Sequence, residues 1–226
     1  MNYFVTGTDT GVGKTLISCA LLHRFAAQGE RVVGMKPVAA GCNYDGQNDD
    51  VGQLRAAGNL PASDEQINPY RFTPAVAPHL AAQLAGVSID FARIKKAFTE
   101  LAAQAEVVIV EGAGGLIVPL DATQDSSDLM RELGLPVILV VGMRLGCLNH
   151  ALLTVEAIAA RGLTLAGWVA NVLDAGMVML DENVAALEQR INAPLLGVVP
   201  YQLQPNAGVV AAQLDLRLLE TVGAHD

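Results

Sequence analysis

Aromatic residues make up only 4% of the 226-residue chain, so it lacks the repeated ring surfaces on which nucleic-acid bases stack. Positive charge is also scarce. With 14 Lys and Arg against 23 Asp and Glu, the formal charge of -9 excludes a broad nonspecific nucleic-acid or anionic-membrane surface. Cysteine is limited to Cys19, Cys42 and Cys147, an odd number without metal-like pairing, which excludes a disulfide framework and fits a reducing cytosol. No apolar run is long enough to span a bilayer, and no charged, apolar, small-residue leader precedes Tyr3. The expectation is a soluble, cytoplasmic protein with no nucleic-acid and no membrane partner.

What the chain does have is 52% hydrophobic residues, dominated by alanine, leucine, valine and glycine, enough for one packed domain over 1–226. Strand-like runs at 3–5, 31–36, 107–111, 137–141, 165–170 and 195–199 alternate with helix-like segments. Successive βα crossovers of this kind predict an α/β fold with a mostly parallel central sheet flanked by helices. Over 88–105 the residues Ile89, Ile94, Phe98, Leu101 and Ala105 form one helical face, and a further helix is expected directly after Gly146. The stretch 37–78 is richer in Gly, Asn, Asp and Pro, and reads as an active-site loop with a short helix over 50–57 and otherwise irregular chain.

The first strand runs into Thr6-Gly7-Thr8-Asp9-Thr10-Gly11-Val12-Gly13-Lys14-Thr15 and then a helix. This is a phosphate-binding loop: glycines free backbone amides at a helix N-terminus, Lys14 reaches outer phosphate oxygens and Thr15 ligates magnesium. Its spacing is a variant, because Thr8 stands where the first glycine is usual. The strand over 107–110 ends in Glu111-Gly112-Ala113-Gly114-Gly115, which places an acid beyond the carboxyl edge of the sheet, where α/β ligands bind. Glu111 is therefore a candidate for metal binding or proton transfer, and Asp50 is a candidate second carboxylate for magnesium. Asp49 and Asp50 suit helix capping almost equally well. Lys36, at a strand end before Pro37, is placed to face the same phosphates as Lys14 and to stabilise charge during transfer. His79 and His150 fit capping or packing better than base catalysis, and Trp168 fits the core.

Together with Met35-Lys36-Pro37-Val38, Val140-Val141-Gly142, Leu145-Gly146-Cys147-Leu148-Asn149-His150-Ala151 and Ala166-Gly167-Trp168-Val169-Ala170-Asn171, these motifs resemble the dethiobiotin synthetases over nearly the whole chain. The resemblance implies a P-loop nucleoside triphosphate hydrolase-like fold and an ATP-dependent carbon-nitrogen ligase. That family makes dethiobiotin from 7,8-diaminopelargonic acid, CO2 and ATP in biotin synthesis. By the same resemblance Lys36 and Lys14 are the catalytic lysines, and Thr15, Asp50 and Glu111 hold Mg2+. ATP contacts are implied for Gly11, Val12, Gly13, Lys14, Thr15, Leu16, Asp50, Glu111, Gly112, Ala113 and Gly114. Asn171, Val172, Pro200, Tyr201 and Gln202 are implied around the base.

Substrate contacts are implied for Thr10, Lys36 and Ala40. Gly146, Cys147, Leu148 and Asn149 would hold the distant carboxylate from the other subunit of a homodimer, at a helix N-terminus. Three positions depart from the common pattern. Ala40 stands where a serine is usual, Gly11 is acidic in some members, and Val172 replaces a common aspartate, which bears on nucleotide selectivity. The competing readings are a partitioning-type P-loop switch ATPase and a non-catalytic nucleotide-binding regulator. A switch ATPase would carry a lysine at Asp9, and the acid there argues for the ligase.

Overall fold

Alternating side chains along the strands set the layers of the computed structural model, which describes residues 1–220; the end of the domain expected over 1–226 lies outside the described residues. The chain runs β1 (Asn2–Gly7), α1 (Lys14–Ala26), β2 (Val32–Met35), β3 (Val38–Ala40), α2 (Asp49–Ala57), α3 (Asp64–Ile67), β4 (Tyr70–Phe72), α4 (Pro78–Ala85) and α5 (Phe91–Ala102). It continues with β5 (Val107–Glu111), α6 (Ser126–Leu133), β6 (Val137–Met143), α7 (Cys147–Ala160), β7 (Leu165–Val172), α8 (Leu180–Glu188), β8 (Leu195–Val199), α9 (Ala207–Ala211) and α10 (Arg217–Glu220).

Six strands form one parallel sheet in the order β2-β5-β1-β6-β7-β8: from β1 the chain crosses to the edge strand β2, returns to fill the gap with β5, and then continues on the other side of β1 through β6, β7 and β8. On one face Tyr3, Val5, Ile109, Ile138 and Val140 meet Ile17, Leu21 and Leu22 of α1. On the other, Phe4, Val108 and Val110 meet Ile94 and Leu101 of α5 and Leu129 and Met130 of α6. Farther along that face, Leu139, Val141, Trp168 and Ala170 are covered by α7 and α8. Trp168 is fully buried, as a core residue should be. Because β1 sits where the strand order turns, its carboxyl end opens between β5 and β6, the crevice in which such sheets bind ligands.

The stretch 37–78 departs from its irregular reading. Here β3 and β4 pair in parallel as a second, two-stranded sheet, with Val38 beside Tyr70 and Ala40 beside Phe72. Strands of three residues carry no readable alternation, and their pairing joins segments about thirty residues apart, beyond the reach of local periodicity. The helix expected over 88–105 is confined to α5, because Asp90 caps it by accepting the N–H of Ala92.

Asp125 ties two helices together. Its Oδ1 accepts from the Ser127 N–H at 2.7 Å, and its Oδ2 pairs with Arg161, the residue that ends α7, at 2.9 Å. Asp128 answers by accepting the Asp125 N–H at 2.9 Å, closing a capping box at the start of α6. Burial would raise the Asp125 pKa, but the Ser127 hydrogen bonds and Arg161 outweigh it and hold the carboxyl below its ordinary range. Its contribution is therefore present above the ordinary carboxylate range and lost as pH falls through the depressed value. Asp125→Ala should cost about 1–3 kcal/mol in urea unfolding at neutral pH. The gap from the parent chain should close in acid.

Candidate active site

The phosphate loop leaves β1 at Gly7 and closes at Gly13, whose φ of 92° caps α1 in the left-handed region that favours glycine. A Cβ there would collide with the buried Asn171 side-chain amide, which donates to the Val12 carbonyl at 2.8 Å. Gly13→Ala should therefore lower stability by about 1–3 kcal/mol through strain alone, read by urea unfolding, and should abolish ATP binding in calorimetry. Lys14 opens α1, and its Nζ donates to the Asp9 carbonyl at 2.9 Å, folding back over the loop. Burial, reinforced by the neighbouring Lys36 charge, holds the Lys14 ammonium down to about 8, against the pull of Glu111, Asp50 and Asp9. A bound polyphosphate would favour its charged form.

Four side chains converge beside this loop, from α1, the end of β2, α2 and β5. The Thr15 hydroxyl lies 2.8 Å from Asp50 Oδ1 and 2.9 Å from Glu111 Oε1, so its one proton is shared between two carboxylates. Lys36 Nζ donates to Asp50 Oδ2 at 2.9 Å and to Glu111 Oε1 at 2.5 Å. The sequence predicted Lys36 facing phosphates beside Lys14; the structure adds that its ammonium is committed to the two acids. Burial would lower the Lys36 pKa, but Glu111 and Asp50 outweigh it and raise it. Asp50, which burial would raise, is held low by Lys36 and the Thr15 hydroxyl.

Local structure fixes each member. Glu111 is the last residue of β5, at the sheet's carboxyl edge and 1% exposed. Lys36 follows β2; its N–H donates to the Ile67 carbonyl at 2.8 Å, and its own carbonyl accepts from the buried Asn68 amide at 2.6 Å. The cap of α2 falls to Asn48, whose side chain accepts the N–H groups of Asp50 and Val51, rather than to Asp49 or Asp50. That leaves the Asp50 carboxylate free to face Thr15 and Lys36. Neither asparagine was singled out on sequence. Asn48 carried a readable signal as a cap residue directly before a helix; Asn68 carried none.

The cluster borders a cavity of about 900 Å³. Thr10, Gly11, Ala40, Val76, Pro78 and Val118 are among its walls, together with Ala113 and Gly114. Val76, Pro78 and Val118 had no assigned role on sequence. Gly112 lies behind it, with Phe4 and Pro37. A second cavity of about 580 Å³ opens at the opposite end of the sheet beside Tyr3 and Leu163, but gathers no carboxylate and no lysine. The reactive chemistry belongs to the first.

The other expected residues are placed by the strands and helices that carry them. Asn171 lies under the phosphate loop as described. Val172, grouped with it on sequence, points its side chain to the opposite face and packs with Met143 and Val184, because successive strand residues alternate. It therefore presents no side chain to the site. Pro200, Tyr201 and Gln202 follow β8, whose Val199 is in register with Asn171, and Gln202 accepts the Asn206 N–H at 2.9 Å. Gly146, Cys147, Leu148 and Asn149 form the first turn of α7 and do not line this chain's own cavity. His79 and His150 are likewise absent from its walls.

The residues fit a magnesium ion. A hydroxyl and two carboxylates supply hard oxygens, and Glu111 Oε2 is buried without a hydrogen-bond partner. Among the described residues no group of three or more His, Cys, Asp or Glu forms an all-protein cage. Magnesium bound through few carboxylates and substrate phosphates needs none.

A phosphate loop at the switch point of a parallel sheet, with two lysines and a hydroxyl-carboxylate cluster beside it, defines a P-loop nucleoside triphosphate enzyme. A match to the AAA domain family covers residues 1–207. The ATP-dependent dethiobiotin synthetase of Aromatoleum aromaticum is 58% identical over 217 residues, covering 95% of this chain and 96% of that protein. That of Nitrosospira multiformis is 56% identical over 214 residues, covering 95% and 94%. The chain belongs to the ATP-dependent dethiobiotin synthetase family. Among solved structures, the cell division ATPase MinD of Pyrococcus furiosus superposes with a TM-score of 0.57 at 14% identity, covering 98% of each chain. That likeness concerns the fold.

Proposed function

We propose that this chain is an ATP-dependent dethiobiotin synthetase that closes a cyclic urea on 7,8-diaminopelargonic acid, with CO2 as the carbon source and magnesium as the resident cation. The observation that carries the reading is the convergence of Lys14, Lys36, Thr15, Asp50 and Glu111 beside one cavity. One amine of the diamine adds to CO2 and loses a proton, giving a carbamate. The γ-phosphoryl group of ATP passes to a carbamate oxygen, releasing ADP. The neighbouring amine then attacks the carbonyl carbon and gives up a proton as phosphate leaves, closing the ring.

These steps bring a carbamate against a triphosphate, two anions in a half-buried site. Lys14 and Lys36 offset that repulsion and stabilise charge spread over the transferring group. Asp50 and Glu111 balance the two lysines before substrates arrive, so Lys36 has to trade part of its ion pairing for the carbamate. Magnesium, held by Thr15, Asp50 and Glu111, would supply further positive charge to the phosphates. Lys36 therefore acts by position and charge, without forming a covalent intermediate.

Thr10 and the wall at Ala40 would orient the diamine, with backbone atoms replacing any hydroxyl at position 40. Asn171, with Pro200 to Gln202, would receive the adenine. Gly146 to Asn149 would serve the partner subunit of a homodimer, a reading supported by their absence from the walls of this chain's own cavity. The fold is read as one domain over 1–226. Three free, buried cysteines support a cytoplasmic setting, and no described helix is long and apolar enough to cross a membrane.

Phosphate release with magnesium-ATP and bicarbonate should depend on added diamine. A substantial rate that ignores the diamine would favour the switch-ATPase reading instead. Sedimentation at assay concentration should show a dimer, and a fully active monomer would contradict the shared site.

A further inference from the structure

Asp9 is an acid inside a loop built to receive a polyanion, a placement that by itself opposes the loop's purpose. Three contacts explain how it is tolerated. Its Oδ1 accepts the N–H of Thr10 at 2.7 Å, its carbonyl accepts from Lys14 Nζ at 2.9 Å, and its Oδ2 pairs with Arg144 Nη2 at 2.9 Å. The loop apex that follows, Thr10 and Gly11, is exposed, and a Cβ at Gly11 would meet nothing within 4 Å. Packing does not hold the apex. The Asp9 carboxylate does, and Arg144 holds that carboxylate.

Arg144 comes from the turn between β6 and α7, and its carbonyl accepts the Cys147 N–H at 3.0 Å, where α7 begins. The loop is already joined to β6 once, by the Thr8 N–H donating to the Val140 carbonyl at 3.0 Å. The guanidinium adds a second tie to the same neighbouring strand, beyond the loop's bend.

We propose that Arg144 is a positioning residue for nucleotide binding: it neutralises Asp9 and fixes the loop apex in the conformation that accepts the triphosphate. The inference rests on the ATP-binding reading above and adds a residue that the phosphate-loop pattern does not contain. Both side chains are about half exposed, 46% for Asp9 and 47% for Arg144, so the pair contributes little to folding and its loss leaves the fold intact. Its effect appears when the triphosphate arrives and an unpaired carboxylate would repel it. Arg144 works through Asp9, so removing the charge at Asp9 makes Arg144 dispensable.

The test is calorimetric titration of magnesium-ATP into four full-length chains: the parent, Arg144→Gln, Arg144→Lys and the double variant Asp9→Asn with Arg144→Gln. Arg144→Gln should bind about tenfold more weakly at low salt, with the deficit shrinking as salt is added. Lysine at 144 should restore affinity to within about threefold of the parent, because it keeps the charge but not the fork. The double variant should recover similarly, since Asn still accepts from Thr10 and no longer repels phosphate, within about threefold.

Unfolding midpoints should match across the series. Parent-like affinity of Arg144→Gln, or a double variant as weak as Arg144→Gln, would overturn the inference; the latter would mean that Arg144 touches the nucleotide itself. Failure of the parent chain to bind ATP would overturn the underlying nucleotide reading along with it.

Discussion

Lys36→Ala should lower kcat by about two to three orders of magnitude, the scale observed when a positioned donor is removed from a transition state. Lys36 is 5% exposed and is the cation nearest to both Asp50 and Glu111 in the cluster. Alanine removes the charge that would meet the carbamate and leaves two carboxylates facing each other across a shared threonine hydroxyl. The second consequence is a folding cost. Stranding a buried carboxylate costs about 3–5 kcal/mol, although the partial exposure of Asp50, 40%, moderates its share. Urea unfolding should therefore show a marked loss for the free protein, and added magnesium should recover more of it in the variant than in the parent. Near-normal kcat would remove Lys36 from the chemistry, whereas a normal unfolding curve would contradict its assigned balance with Glu111.

Glu111→Gln should act differently, through the cation. Glu111 shares Oε1 with Thr15 and Lys36, while Oε2 is buried and makes no hydrogen bond within the chain. Glutamine keeps the shape but loses the anionic charge that a hard dication requires. The expected result is a kcat about a hundredfold lower at fixed magnesium, with a half-saturating magnesium concentration raised about tenfold. Excess magnesium should return part of the rate. An unchanged magnesium dependence with a low rate would give Glu111 a role in proton transfer instead, the alternative left open by its place at the strand end.

Much of this site could be read along the chain because each part ends a regular element. Glu111 closes the apolar run over 107–110, Lys36 closes 31–36 before a proline, and Thr15 lies in the first turn of a helix after a glycine-rich turn. A parallel strand's carboxyl edge is where such termini meet, so alternation and order were enough to predict their convergence. The features that escaped are those that depend on pairing at long range. Asp9 and Arg144 are 135 residues apart in sequence, and nothing local to either predicts their contact. Asn68 supports Lys36 through a carbonyl that any residue would offer.

The short strands β3 and β4 were invisible for the same reason, since three residues fix neither period nor partner. Val172 shows the opposite case, a local signal that bears on its side chain alone. Simple alternation from Asn171 already sends its side chain to the other face, but similarity to a family pattern grouped the two neighbours as one nucleotide contact. Where backbone parity and motif likeness disagree, parity decides which way a side chain points.

This phosphate loop serves carbon-nitrogen bond formation and not a conformational switch. The direct test is incubation of the chain with magnesium-ATP, 7,8-diaminopelargonic acid and 13C-labelled bicarbonate, followed by mass spectrometry of the product and measurement of ADP. Dethiobiotin should carry the label in its urea carbon, with one ADP formed for each ring closed. ATP hydrolysis without labelled dethiobiotin would contradict that role.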